Sequence, residues 1–194
     1  MIYDAARAAE RKINMVYVFL ANGFEELEAL SPIDVLRRAG VETVTVGVGG
    51  RAITSAHGVR FTADIEEGDI KLDDGLDMIV LPGGMPGTNN LEASPSVQAA
   101  IDFCVKNDRY VAAICAAPKI LGAKGLLDGR KAVCFPGFES FLKGAEISAD
   151  SVVQDGRFIT AKGAGVALEF ALKLAGLLTS EEKAEALAAS LQCR

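Results

Sequence analysis

Apolar runs of strand length alternate along the chain with segments whose apolar positions recur at helical spacing. "MVYVFLA" (15–21) reads as a buried strand. "EELEALSPIDVLRRAG" (25–40) reads as a helix carrying Leu27, Leu30, Ile33 and Leu36 at three-residue steps, with Gly40 as its stop. "VETVTVGV" (41–48) is a second strand, residues 52–65 a short hairpin or edge excursion, and "LDMIVLPGG" (76–84) a strand running into a glycine turn. "SPSVQAAIDFCVKN" (94–107) has a serine start and a helical period. "RYVAAIC" (109–115) is a strand, and "APKILGAKGLL" a helix that breaks at its glycines.

The second half is less regular. "KAVCF" and "VVQDGRFITA" read as strands, the latter a pair joined by the hairpin signal Asp155-Gly156. "GVALEFALKLAGLL" (165–178) places Val166, Phe170, Leu174 and Leu177 on one helix face. "SEEKAEALAASL" (180–191) opens on a capping serine and an acidic first turn. No internal repeat or low-complexity linker interrupts this order. The alternation predicts a mainly parallel, doubly wound α/β sheet covered on both faces.

Composition narrows the class without naming a function. At 194 residues the chain is long enough for one compact domain and short for two, so residues 15–194 are expected to form a single domain. Residues 1–14, "MIYDAARAAERKIN", read as a polar extension before it. A net charge of −6 disfavours a nucleic-acid surface, which needs a basic stripe to displace counterions. No apolar run approaches the roughly 20 residues that cross a bilayer, and Met15–Ala21 reads as a strand rather than a signal peptide. Cys104, Cys115, Cys134 and Cys193 show no CxxC spacing, and His57 is the one histidine, so no metal centre is expected. Reduced thiols fit a cytoplasmic protein.

In a sheet of this kind ligands bind beyond the carboxyl ends of the strands. Three segments fall there: "ANGFEELE", "LPGGMPGT" and "CAAP". Cys115 stands where a strand ends and a helix begins. Small Ala116 and Ala117 allow a tight reversal, leave a backbone N–H free, and precede Pro118, which suits a first helical turn. The residues support two readings, a buried core thiol and a nucleophile. On the second, the helix dipole is expected to lower the thiol pKa below its ordinary value. "LPGGMPGTNN" reads equally as a simple turn and as a cradle of exposed N–H groups. It has neither P-loop nor GxGxxG spacing, so no nucleotide cofactor is expected. "NGFEELE" holds three carboxylates, and spacing does not choose between Glu25, Glu26 and Glu28.

Taken together, "NGFEELEALSPIDVLRRAGVETVTVGV", "DMIVLPGGMPGTNNL", "VAAICAAPKIL" and "ITAKGAGVALEFALKLAGLL" resemble, in order and spacing, the DJ-1/ThiJ/PfpI superfamily, most closely its DJ-1 branch. The resemblance covers about residues 13–192. It implies a flavodoxin-like three-layer sandwich, usually a homodimer, with no cofactor. Cys115 is then the reactive elbow cysteine and Glu28 the carboxyl bonded to it. Gly84 and Ala116 supply backbone N–H groups, with Gly83 and His57 as pocket residues. The family's described activities are a glyoxalase or deglycase acting on small α-oxoaldehydes and their adducts, oxidative-stress sensing through the cysteine, and chaperoning.

Two departures restrict the chemistry. The protease-like branch has histidine directly after the cysteine, where this chain has Ala116, so peptidase activity loses its general base. Some DJ-1-branch members have histidine before the proline after the elbow helix, where this chain has Phe135 in "CFPGF". His57 falls where many relatives carry an arginine, and it reads either as an anion contact or as a loop histidine bonded locally. The remaining cysteines read as structural.

Overall fold

A computed structural model describes residues 15–193; the polar segment 1–14 lies outside the described residues. In chain order, β1 (Met15–Ala21), α1 (Glu26–Arg38) and β2 (Glu42–Val48) are followed by β3 (Ala52–Thr54), β4 (Arg60–Thr62) and β5 (Ile65–Glu66). Next come β6 (Leu76–Leu81), α2 (Gly87–Ala93), α3 (Pro95–Lys106), β7 (Tyr110–Ile114) and α4 (Pro118–Ala123). The chain continues through β8 (Lys131–Ala132), β9 (Glu146–Ile147), β10 (Val152–Asp155), β11 (Phe158–Ala161), α5 (Ala167–Leu178) and α6 (Glu181–Ser190).

Seven strands form the central sheet in the order β10-β11-β7-β6-β1-β2-β5. Every pairing is parallel except the β10–β11 hairpin, whose turn holds Asp155-Gly156. β3 and β4 pair as a separate hairpin, so 52–65 is the excursion that its sequence implies. Successive residues of β1 face opposite ways. Tyr17, Phe19 and Ala21 pack with α3 residues Val97, Ala100 and Ile101. Val16, Val18 and Leu20 pack with α1 and α5 residues, among them Leu36, Phe170 and Leu174. The result is a three-layer sandwich with a core on each face of the sheet.

Three local readings need correction. "KAVCF" contributes only two residues of strand, paired with β9 outside the main sheet. The loop after β6 contains α2, which carries no helical apolar period because Leu91 alone anchors it among apolar side chains. On α1, Ile33 and Leu36 are buried but Leu27 and Leu30 are exposed. At roughly 100° per residue, a run of three-residue steps slips around the helix, and nine residues bring Leu27 to the face opposite Leu36. The buried stripe is Ala29, Pro32, Ile33 and Leu36, with Glu28 beside it.

Candidate active site

The carboxyl ends of β1, β6, β7 and β11 lie side by side in the sheet, so the loops that leave them share one edge. Cys115 follows β7 directly and takes φ 64, the left-handed region that a side chain enters at a cost of about 1–3 kcal/mol. Its backbone is held on both sides: its N–H donates to Ala161 O at 2.8 Å and its carbonyl accepts from Phe135 N–H at 2.8 Å. The chain turns sharply there, and Pro118 opens α4. The thiol is left at the edge, partly exposed, while Cys104 and Cys134 are buried.

Glu28 sits in the first turn of α1 and is 1% exposed. Its Oε2 accepts from Gly83 N–H at 2.9 Å, its carboxyl also accepts from the Ala164 N–H, and it hydrogen-bonds to the Cys115 side chain. The N–H groups of Ala116 and Gly84 are directed at the Cys115 sulfur. Gly83 is small by necessity: a Cβ there would lie 2.6 Å from Glu28 Oε2 and 2.8 Å from Cys115 Cβ. Gly84, at φ 87, lets the β6 loop press against the backbone of Gly23 and Glu25.

The neighbouring carboxylates face elsewhere. Glu25 caps α1, accepting from Glu28 N–H at 2.8 Å. Glu26 accepts from the Ser55 hydroxyl and meets His57 Nδ1 at 2.7 Å, which fastens the β3–β4 hairpin to the start of α1. His57 is a surface residue bonded to Glu26 through both its ring and its backbone N–H. Burial pushes the Glu26 carboxyl up, but the bonds from His57 and Ser55 outweigh it and hold the group at about 2. Glu25, Glu26 and His57 place metal-type donor atoms within 4.8 Å of one another. Capping and the hairpin bonds already occupy both carboxylates.

Burial raises the Glu28 carboxyl to about 7, against the lowering effect of its bond to Cys115. The thiol moves opposite to the dipole expectation: burial, then the charge and hydrogen bond of Glu28, push Cys115 up to about 12. The dipole is too weak to prevail. α4 has only six residues and Cys115 precedes its cap, Ala117, whereas the Glu28 carboxylate touches the sulfur. Thiol and carboxyl therefore act on each other: the Glu28 charge holds the thiol up, and the bond from the thiol holds the carboxyl down.

The loop after β11 completes the site with Gly163 and Ala164, to which sequence reasoning assigned no role. A glycine just past the end of a strand on the same sheet edge was the available signal. Two surface hollows lie elsewhere. One is walled by Val152, α5 and α6, and the other by Arg109, Arg130 and Arg157, each of which pairs with an aspartate.

A doubly wound α/β sandwich with a left-handed cysteine at a strand end and a buried glutamate against it defines a class of elbow-cysteine proteins. The DJ-1/PfpI family model matches residues 14–177, and the chain belongs to that family. Protein dj-1beta of Drosophila melanogaster is 36% identical over 177 residues, which cover 90% of this chain and 94% of that one. The glutathione-independent glyoxalase DJR-1.2 of Caenorhabditis elegans is 34% identical, over 84% of this chain and 87% of its own. The oxidised DJ-1 structure from Toxoplasma gondii superposes with a TM-score of 0.88 at 35% identity, covering 93% of this chain and 98% of that chain. The chain spans less than half the length of DJ-1 homologs A and B of Arabidopsis thaliana, 46% and 41%.

Proposed function

We propose that the protein converts small α-oxoaldehydes, or their adducts, to hydroxy acids through Cys115 and Glu28, without a cofactor. The observation that carries this reading is the buried Glu28 carboxyl bonded to the Cys115 thiol, a pair able to share one proton. A carboxyl of pKa about 7 touching a thiol is a base matched to neutral pH. As the sulfur bonds to the aldehyde carbon, the thiol proton passes to the Glu28 carboxylate. The carbonyl electron pair moves onto oxygen, beside the N–H groups of Gly84 and Ala116. Glu28 passes the thiol proton on to that oxygen, giving the hemithioacetal, and, a carboxylate again, carries the hydrogen of that carbon to the adjacent ketone carbon as a proton, through an enediol. The aldehyde carbon is oxidised to a thioester and the ketone reduced to an alcohol, so no outside oxidant is needed. Water cleaves the thioester, releasing the hydroxy acid and restoring the thiol. The name of the C. elegans glyoxalase supports this class of reaction.

Loss of methylglyoxal, followed with the parent protein and with Cys115→Ala, tests the reading. Turnover is expected to fall to background in the variant, and equal rates would sink it. Redox sensing is less well supported, because a thiol pushed upward is a poor peroxide target at neutral pH. Deglycase activity on adducts requires the same two residues.

The protein is further proposed to act as a homodimer in the cytoplasm. Four free cysteines suit a reducing compartment. Leu27 (58% exposed), Leu30 and Val59 place apolar surface on α1 and on the hairpin fastened to it. None of the described helices is long and apolar enough to cross a membrane. Sedimentation is expected to give twice the chain mass, and Leu27→Glu to shift it toward one.

A further inference from the structure

Phe135 occupies the position at which the sequence departs from a histidine-bearing pattern, and its placement gives that departure a consequence. Its backbone is fixed: its N–H donates to Cys115 O at 2.8 Å, its carbonyl accepts from Phe138 N–H at 3.0 Å, and two residues earlier Val133 N–H donates to Thr160 Oγ1 at 3.0 Å. The ring is therefore held beside the elbow. A Cβ on Gly163 would lie 3.3 Å from Phe135 Cδ2, 3.7 Å from Cys115 Sγ and 3.7 Å from Glu28 Oε1. Ring edge, sulfur and carboxyl thus border the same space over Gly163.

Phe135 nevertheless remains 47% exposed. An aromatic side chain fixed at a reactive thiol and half open to water is an apolar wall awaiting an apolar group. Charge agrees. The main influences on Cys115 and Glu28 are burial, each other and backbone N–H groups, with no cation among them.

We infer that Phe135 is a specificity-determining residue: it selects uncharged α-oxoaldehydes bearing an apolar, ring-sized substituent over the smallest ones. This rests on the aldehyde reading above and names the substrate class. A hydrophobic contact of this size discriminates by about tenfold.

The test compares kcat/KM for phenylglyoxal and methylglyoxal in the parent, Phe135→Ala and Phe135→Leu. Alongside turnover, protection of Cys115 from iodoacetamide by each aldehyde reports binding at the thiol. The parent is expected to favour phenylglyoxal about tenfold in both readouts, Phe135→Ala to lose that preference and Phe135→Leu to keep most of it. A preference for methylglyoxal in the parent, or a ratio unchanged in Phe135→Ala, overturns the assignment while leaving the aldehyde reading intact. Selective protection without turnover supports the assignment and removes the catalytic reading. Absence of both protection and turnover overturns the two together.

Discussion

Three carboxylates within four residues divide three tasks. Glu25 caps the helix, Glu26 fastens a hairpin, and Glu28 turns inward to the thiol. The sequence left that choice open because neighbouring helical positions point about 100° apart, and nothing in "EELE" says which direction is inward. The coupling of thiol and carboxyl has a direct signature. Alkylation of Cys115 by iodoacetamide is expected to rise through pH 7 in the parent, as the Glu28 carboxyl gives up its proton and can take the thiol's during attack. In Glu28→Gln the step at 7 vanishes. One titration remains, below the parent thiol value of about 12, because both influences of Glu28 push the thiol upward. Rates that are flat through neutrality in the parent would refute that coupling.

At the scale of elements, what was legible followed from strong local signals. Ser94 caps α3, Asp155-Gly156 turns the hairpin, and Phe170 and Leu174 face the core, each as the pattern implies. The misses have physical causes. α2 is a seven-residue helix held by one buried leucine, too short for a period to show. "KAVCF" is apolar because Ala132, Val133 and Cys134 are buried, although only Lys131 and Ala132 pair as strand. The helix dipole does not lower the Cys115 thiol, because α4 is short and burial and the Glu28 carboxylate push the other way. The joint between β6 and α1 supplies a sharp test. Gly83 has no left-handed φ, so Gly83→Ala is tolerable to the backbone and acts only through its Cβ, which meets Glu28 and Cys115 at 2.6 and 2.8 Å. The crowding is expected to destabilise by about 1–3 kcal/mol. Displacement of the pair is expected to lower kcat/KM by about a hundredfold in the methylglyoxal assay. Parental activity in Gly83→Ala would show that the pair tolerates movement.

For the whole molecule, a buried acid at the junction of α1 with the sheet ties the site to global stability. Glu28 has its ordinary value of 4.5 when unfolded and about 7 when folded, so between these the native state holds a proton that the unfolded chain has released. Its contribution is fully present below about pH 4.5 and is lost as pH rises through 7, a difference of about 3 kcal/mol. Glu26, Asp64 and Asp155 act in the opposite sense. Their folded values are lowered, so they contribute above the ordinary carboxylate range and that contribution is lost in acid. The two sets place the stability maximum near pH 5, on the acid side of neutrality. Urea unfolding at pH 5 and pH 8 reads this directly. The parent is expected to be less stable at the higher pH, and Glu28→Gln to lose most of that difference while keeping the acid limb, the remainder being that of exposed His57, which the Glu26 carboxylate holds above its ordinary value. Cys115→Ala is expected to steepen the difference, because the bond from the thiol is the largest influence holding the Glu28 carboxyl down. An unchanged slope in Glu28→Gln would place the titrating group elsewhere in the molecule.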